Sequence, residues 1–230
     1  MNQYDMSQST AGLVVKQSTL IRQVYAWMGL GLTVTAVMAM FTAASPQLFQ
    51  AIVGNRPVFY GLLIGELVLV FTLSGAINRL GSGVATLLFL GYSLLNGLTL
   101  SVIFLAYTAD SIASTFAVTA LMFGSMSAYG YLTGKDLTSW GSFLFMGLIG
   151  IVIASLVNIF IMSDAVSWIV SAIGVIVFTG LTAYDTWKIK ALAASGVQGR
   201  NPAILGALTL YLDFINLFLM LLRFMGGRRD

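Results

Sequence analysis

Four ionisable residues stand inside long apolar runs of this 230-residue sequence: Glu66, Asp185, Asp213 and Arg223. They matter because so little else in the chain could do chemistry. The sequence contains no Cys and no His, which removes disulfides, thiolate nucleophiles and the commonest general base and metal ligand. Proton or cation chemistry therefore falls to carboxylates. A carboxylate near the middle of a hydrocarbon layer costs several kcal/mol, roughly 2.5–3.5 on insertion scales, so each one needs a structural or functional reason. Arg223 has a simple one, since its long stem carries the guanidinium to the interface from the last turn of its helix. Asp213, about 15 Å deep at 1.5 Å per residue, has no such escape.

Helical spacing puts Thr209, Asp213, Asn216 and Met220 on one face of an otherwise Leu/Phe/Ile-rich helix. A shorter stripe, Thr182 and Asp185, lies on the preceding helix. Two readings follow: a buried polar network that fixes helix register, or the lining of a path for protons or cations. Depth counting leaves the two aspartates about 10 Å apart along the membrane normal. They meet only if the helix carrying Asp185 runs on past Trp187 towards Ala194, if the last helix starts above the hydrocarbon, or if either tilts. Glu66 lies midway along its own run, and Arg79 sits just beyond the end of that run.

The elements that must position these residues are membrane helices. Hydrophobic residues make up 58% of the chain and charged ones 8%, against roughly 25% charged in soluble domains. Mean hydropathy is +0.93. Seven runs, at about 24–44, 57–78, 84–106, 112–133, 142–162, 166–187 and 203–225, are each long enough to cross a core of roughly 30 Å. The expected organisation is a polar cytoplasmic tail over 1–23, an all-α bundle of seven transmembrane helices over 24–225 and a short tail over 226–230. The tail lacks the compact apolar run and cleavage site of a signal peptide. The longest internal loop is expected near 188–202.

Lys16, Arg22, Arg79, Lys135, Lys188, Lys190 and Arg200 fall on one side of these runs, and Arg56, Arg228 and Arg229 on the other. That asymmetry places the N-terminus in the cytoplasm and the C-terminus outside. A net charge of +3, scattered between apolar segments, is no nucleic-acid surface. An intramembrane aspartyl protease would carry its second aspartate in a Gly-x-Gly-Asp motif, whereas here the context is Leu210-Tyr211-Leu212-Asp213. A rhomboid-like serine protease fails for lack of His. The chain is accordingly read as a non-enzyme. Gly61-x-x-x-Gly65 and Gly130-x-x-x-Gly134 have the spacing that lets membrane helices approach closely.

The segment Leu210-Tyr211-Leu212-Asp213-Phe214-Ile215-Asn216-Leu217-Phe218, continuing to Leu221-Leu222-Arg223, resembles the closing-helix signature of the Bax inhibitor-1 family, the transmembrane Bax-inhibitor-motif proteins. Ala183-Tyr184-Asp185-Thr186 with Lys188-Ile189-Lys190 resembles the penultimate-span motif of that family. Lys135-Asp136-Leu137-Thr138 and Asn158-Ile159-Phe160 also fit, and the likeness is greatest to bacterial inner-membrane members. The resemblance implies six helices around a central seventh and a stress-response role. It also implies a pH-sensitive calcium leak gated by an aspartate pair, here Asp185 and Asp213, with a nearby arginine, here Arg79. Glu66 matches a second-span carboxylate of some members and would lie on the ion path.

Such a gate is physically sensible in a chain without histidine. Two carboxylates at hydrogen-bonding distance in a low dielectric cannot both ionise cheaply, so they titrate as a unit. A shared proton bonds them, and its loss introduces repulsion that could part the two helices. Calcium prefers six to eight oxygens, so Asp185 and Asp213 would form only a weak, transient site, which suits passage. No cofactor is expected beyond Ca2+ as a permeant ion. The expected partners are the lipid bilayer, Ca2+ and protons. The alternatives are a non-transporting regulator of a membrane partner such as a quality-control protease, and a proton-coupled carrier of a small solute.

Overall fold

A computed structural model describes residues 3–227 and 229, with side chains from Ser18 onward. The helices are α1 (Gln3–Ala44), α2 (Pro46–Ile52), α3 (Arg56–Ala76), α4 (Ser82–Leu100), α5 (Ile103–Ala106), α6 (Ala109–Leu132), α7 (Thr138–Ile161), α8 (Asp164–Ala194) and α9 (Arg200–Met225). A 3-10 turn, Ile77–Arg79, continues α3. Seven of the resulting segments are long and apolar enough to cross a membrane: Ser18–Ala44, Arg56–Arg79, Ser82–Ala106, Ala109–Leu132, Thr138–Ile161, Asp164–Ala194 and Arg200–Met225. The protein is thus a polytopic all-α membrane protein, as the apolar runs predict.

Local sequence explains where the helices start and stop. Ser45 caps α2, its hydroxyl accepting from Leu48 N at 3.4 Å, with Pro46 at the first helical position. Asn55 caps α3 and Thr108 caps α6 in the same way. Before α7, Asp136 Oδ1 accepts from Thr138 Oγ1 at 2.6 Å and Thr138 N at 2.8 Å. Those bonds, the side-chain one foremost, hold the exposed Asp136 carboxyl below its ordinary range. Helix α7 ends on Met162 in the left-handed region at φ 53°, and Gly196 (φ 85°) and Gly199 (φ 114°) turn the chain into α9.

One expectation needs correction. The loop expected over 188–202 is mostly helix: α8 continues to Ala194, so Lys188 and Lys190 lie on a helix, and only 195–199 connects it to α9. The third span, Ser82–Ala106, stands where expected, its helix broken at Ser101–Val102 between α4 and α5.

The chain forms two compact units. In the first, Met1–Ala106 with Ile189–Tyr211, α1 and α4 approach closely because Gly97 has no side chain: a Cβ there would lie 2.7 Å from Thr35 O. Tyr211 is fully buried, edge-on to Phe89 at 6.0 Å and Tyr92 at 5.6 Å.

In the second unit, Tyr107–Lys188 with Leu212–Asp230, Gly130 of α6 lies against the backbone of Ala183 on α8, and Gly141 of α7 against the Tyr184 ring. Phe214 packs edge-on to Phe116 and Phe123, both at 5.4 Å. Of the expected small-residue pairs, only Gly130 makes a close helix contact; a Cβ at Gly61 or Gly134 would meet nothing within 4 Å. Helix α9 is the most buried span, 72% of its most apolar stretch being enclosed against 44% or less for the others.

Candidate functional site

Asp213 stands in the middle of α9, 5% exposed, and the half-buried Asp185 lies nine residues before the end of α8. A hydrogen bond joins their carboxyl groups. The expected gap of about 10 Å is closed chiefly by the continuation of α8 to Ala194. Counted from the α8–α9 connection, the two aspartates now differ in depth by roughly four residues, about 6 Å, within reach of tilt and two side chains. A hydrogen bond between two carboxyl groups requires a proton on one of them, so the arrangement is that of a proton-sharing pair. The Asp185 carboxyl is the one hydrogen-bond partner shown for the Asp213 side chain, whose Oδ2 is fully buried.

Charge reaches this pair from Lys188, one turn beyond Asp185 on the same helix. Its ammonium lies 5.8 Å over the Tyr184 ring, which stacks on Trp187 at 6.0 Å. Beside the pair, Thr186 of α8 and Ser127 of α6 share a hydrogen bond of 3.1 Å. The stripe expected on α9 is present, but Asn216 gives its amide N–H to Leu212 O and Thr209 its hydroxyl to Leu205 O. Asp213, through Asp185, and Met220, packed against Gly174, are the members that reach α8.

Glu66 belongs to a separate network in the first unit. It is buried on α3, accepting from Thr99 Oγ1 at 2.7 Å and from Asn96 Nδ2 at 3.3 Å. Asn96 Oδ1 in turn accepts from the Tyr211 hydroxyl at 3.0 Å, which shares a 2.6 Å bond with Thr35. Arg79 is exposed at the end of the 3-10 turn of that unit. Asn201 of α9 brackets this turn, its amide donating to Ile77 O at 2.9 Å and Leu80 O at 2.7 Å.

Sequence reasoning picked out both aspartates and Glu66 but missed Tyr211, Thr35 and Asn201 as partners. Tyr211 was visible only as part of the closing-helix string, and a lone Thr on an apolar helix carries no pattern. Among the described residues no group of three or more His, Cys, Asp or Glu side chains forms a metal cluster.

Seven apolar helices with a buried carboxyl pair on the last two define a multi-pass membrane protein of a particular kind. A family model described as inhibitor of apoptosis-promoting Bax1 matches residues 17–230. The chain is 55% identical over 227 residues to inner membrane protein YbhL of Escherichia coli K12, covering 96% of this chain and 95% of that one. It is 45% identical over 230 residues to an uncharacterized protein of Borreliella burgdorferi, covering 98% and 99%. With an uncharacterized membrane protein of Streptococcus pyogenes it shares 39% identity over 228 residues, 97% of each. The chain belongs to the Bax inhibitor-1 family and is an integral, multi-pass inner-membrane protein.

Proposed function

We propose that this protein is a pH-sensitive cation leak, with Ca2+ as the permeant ion, closed by the proton shared between Asp185 and Asp213. The observation that carries this reading is the hydrogen bond between the buried Asp213 carboxyl and the half-buried Asp185 carboxyl on adjacent spans. Such a pair is expensive to place in a bilayer, and its bonding depends on one proton. Removing that proton turns attraction into repulsion between α8 and α9. The pair then offers carboxylate oxygens to a cation, too few for tight binding and enough for transient passage.

Arg79 enters as the cationic partner of the gate from the family resemblance alone. Glu66 is taken as a second carboxylate on the route. The chain's role is transport rather than catalysis, and its partners are the bilayer, protons and the ion. Stress response and docking to a membrane protease remain family-level expectations that the same experiment addresses.

The test is Ca2+ entry into liposomes holding the purified protein, measured across pH for wild type, Asp185→Asn, Asp213→Asn and Arg79→Gln. Wild type should show a pH-dependent flux above empty vesicles, and both Asn variants should lose its pH dependence. Wild type without flux at any pH overturns the leak and favours a non-transporting regulator.

A further inference from the structure

A lysine at the end of an apolar helical run ordinarily extends its stem so that the ammonium reaches the polar interface. Lys188 of α8 is exposed at such a place, but its ammonium lies 5.8 Å over the ring of Tyr184, one turn back along the helix. The ring is itself fixed on two sides. Trp187 stacks on it at 6.0 Å, and Gly141 of α7 comes so close that a Cβ there would lie 2.6 Å from the Tyr184 hydroxyl oxygen. A cation over an aromatic face is attracted by the ring quadrupole, so the ammonium has a seat within the second unit.

Asp185 stands beside that seat. Residues three apart on a helix are surface neighbours, with Cβ atoms about 5–6 Å apart, which places Lys188 and Asp185 on one edge of α8. The Lys188 charge acts on the Asp185 carboxyl through space, and Asp213 of α9 is hydrogen-bonded to that carboxyl. The other elements of this unit that touch the same stretch of α8 do so through uncharged residues: α6 meets it with Gly130 and Ser127, and α7 with Gly141. Lys135 and Asp136 are exposed on the α6–α7 connection, and Lys190 falls about 140° around α8 from Asp185.

With the shared proton in place the aspartate pair carries one negative charge, which one ammonium offsets. Loss of the proton leaves two, and a neighbouring cation favours that state over the protonated one. We propose that Lys188, seated on Tyr184, is the positioning charge of the aspartate pair: it offsets the charge left when the shared proton departs and so sets the pH at which the two carboxylates part. The charge balance stands on the placement of the three side chains; that their parting opens an ion path rests on the leak reading above.

The test reads the proton itself. Full-length wild type, Lys188→Gln, Lys188→Arg, Tyr184→Phe and Tyr184→Leu are reconstituted in phosphatidylcholine vesicles. The infrared C=O band of the protonated carboxyl is followed across pH, with Asp185→Asn and Asp213→Asn to identify it. The wild-type band should vanish at a midpoint that Lys188→Gln raises by roughly 0.5–1 pH unit, the effect of one charge about 6 Å away at an effective dielectric of about 40–80. Lys188→Arg should keep the wild-type midpoint, because charge and ring contact both survive. Tyr184→Leu, which removes the seat, should move the midpoint in the same direction as Lys188→Gln, and Tyr184→Phe should not.

A midpoint unchanged or lowered in Lys188→Gln, or raised as far in Lys188→Arg, would overturn the charge role. Equal midpoints in the two Tyr184 variants would overturn the seat. Absence of any band that the Asn variants remove would overturn the shared proton and the proposal with it. Ca2+ entry into the same vesicles separates the two readings: a raised infrared midpoint in Lys188→Gln without wild-type flux leaves the charge role standing and removes the leak.

Discussion

At the scale of residues, the properties of this protein converge on two carboxyl groups that a hydrocarbon environment would exclude unless they were joined. Asp213 is buried with the Asp185 carboxyl as the one partner shown for its side chain, so each acid depends on the other. Glu66 differs, since both its oxygens accept from neutral donors on α4. Glu66→Gln should therefore lower Ca2+ flux while leaving its pH midpoint where the aspartate pair sets it. A shifted midpoint in pH-resolved liposome flux would contradict that division of labour. Glu66→Leu strips the acceptors from Asn96 and Thr99 and should destabilise the fold by about 1–3 kcal/mol, read from unfolding in detergent. The carboxylates were legible in the sequence because an acidic residue inside an apolar run is conspicuous. Lys188 was not, because it looked like the first cation of a loop.

At the scale of elements, the decisive feature is the length of α8. Its apolar run ends near Trp187, and the lysines that follow resemble a boundary, yet the helix continues to Ala194. A helix need not stop where the hydrocarbon does, and composition reports the second boundary only. Those extra residues, about two turns, bring Asp185 towards the level of Asp213. Close packing of α8 on α6 depends on Gly130, where any Cβ would meet the backbone of Ala183. Gly130→Ala should cost roughly 1–3 kcal/mol by overpacking a backbone contact that cannot give way. Gly61→Ala, with nothing within 4 Å of the new Cβ, should be neutral or stabilising by roughly 0.4–1 kcal/mol. Thermal unfolding of the two variants in one detergent distinguishes them, and equal losses would contradict the packing account. Equal spacing made the two Gly-x-x-x-Gly motifs indistinguishable in sequence, because spacing does not say which helix face meets a neighbour.

At the scale of the whole molecule, the cations flanking the seven spans predict a topology. Seven cations on one side against three on the other call for a cytoplasmic N-terminus and an external C-terminus. A C-terminal alkaline phosphatase fusion should be active and a C-terminal green fluorescent protein fusion dark; the reverse pattern would invert the orientation. The fold class was legible because apolar runs of this length have few other uses, whereas the pairing of side chains between helices depends on rotation and tilt that composition does not encode. The measurement that bears most directly on function is Ca2+ entry into liposomes against pH for wild type, Asp185→Asn and Asp213→Asn. A pH-dependent wild-type flux whose dependence vanishes in both variants is the expected result. A wild-type pH profile preserved in both would contradict the aspartate gate.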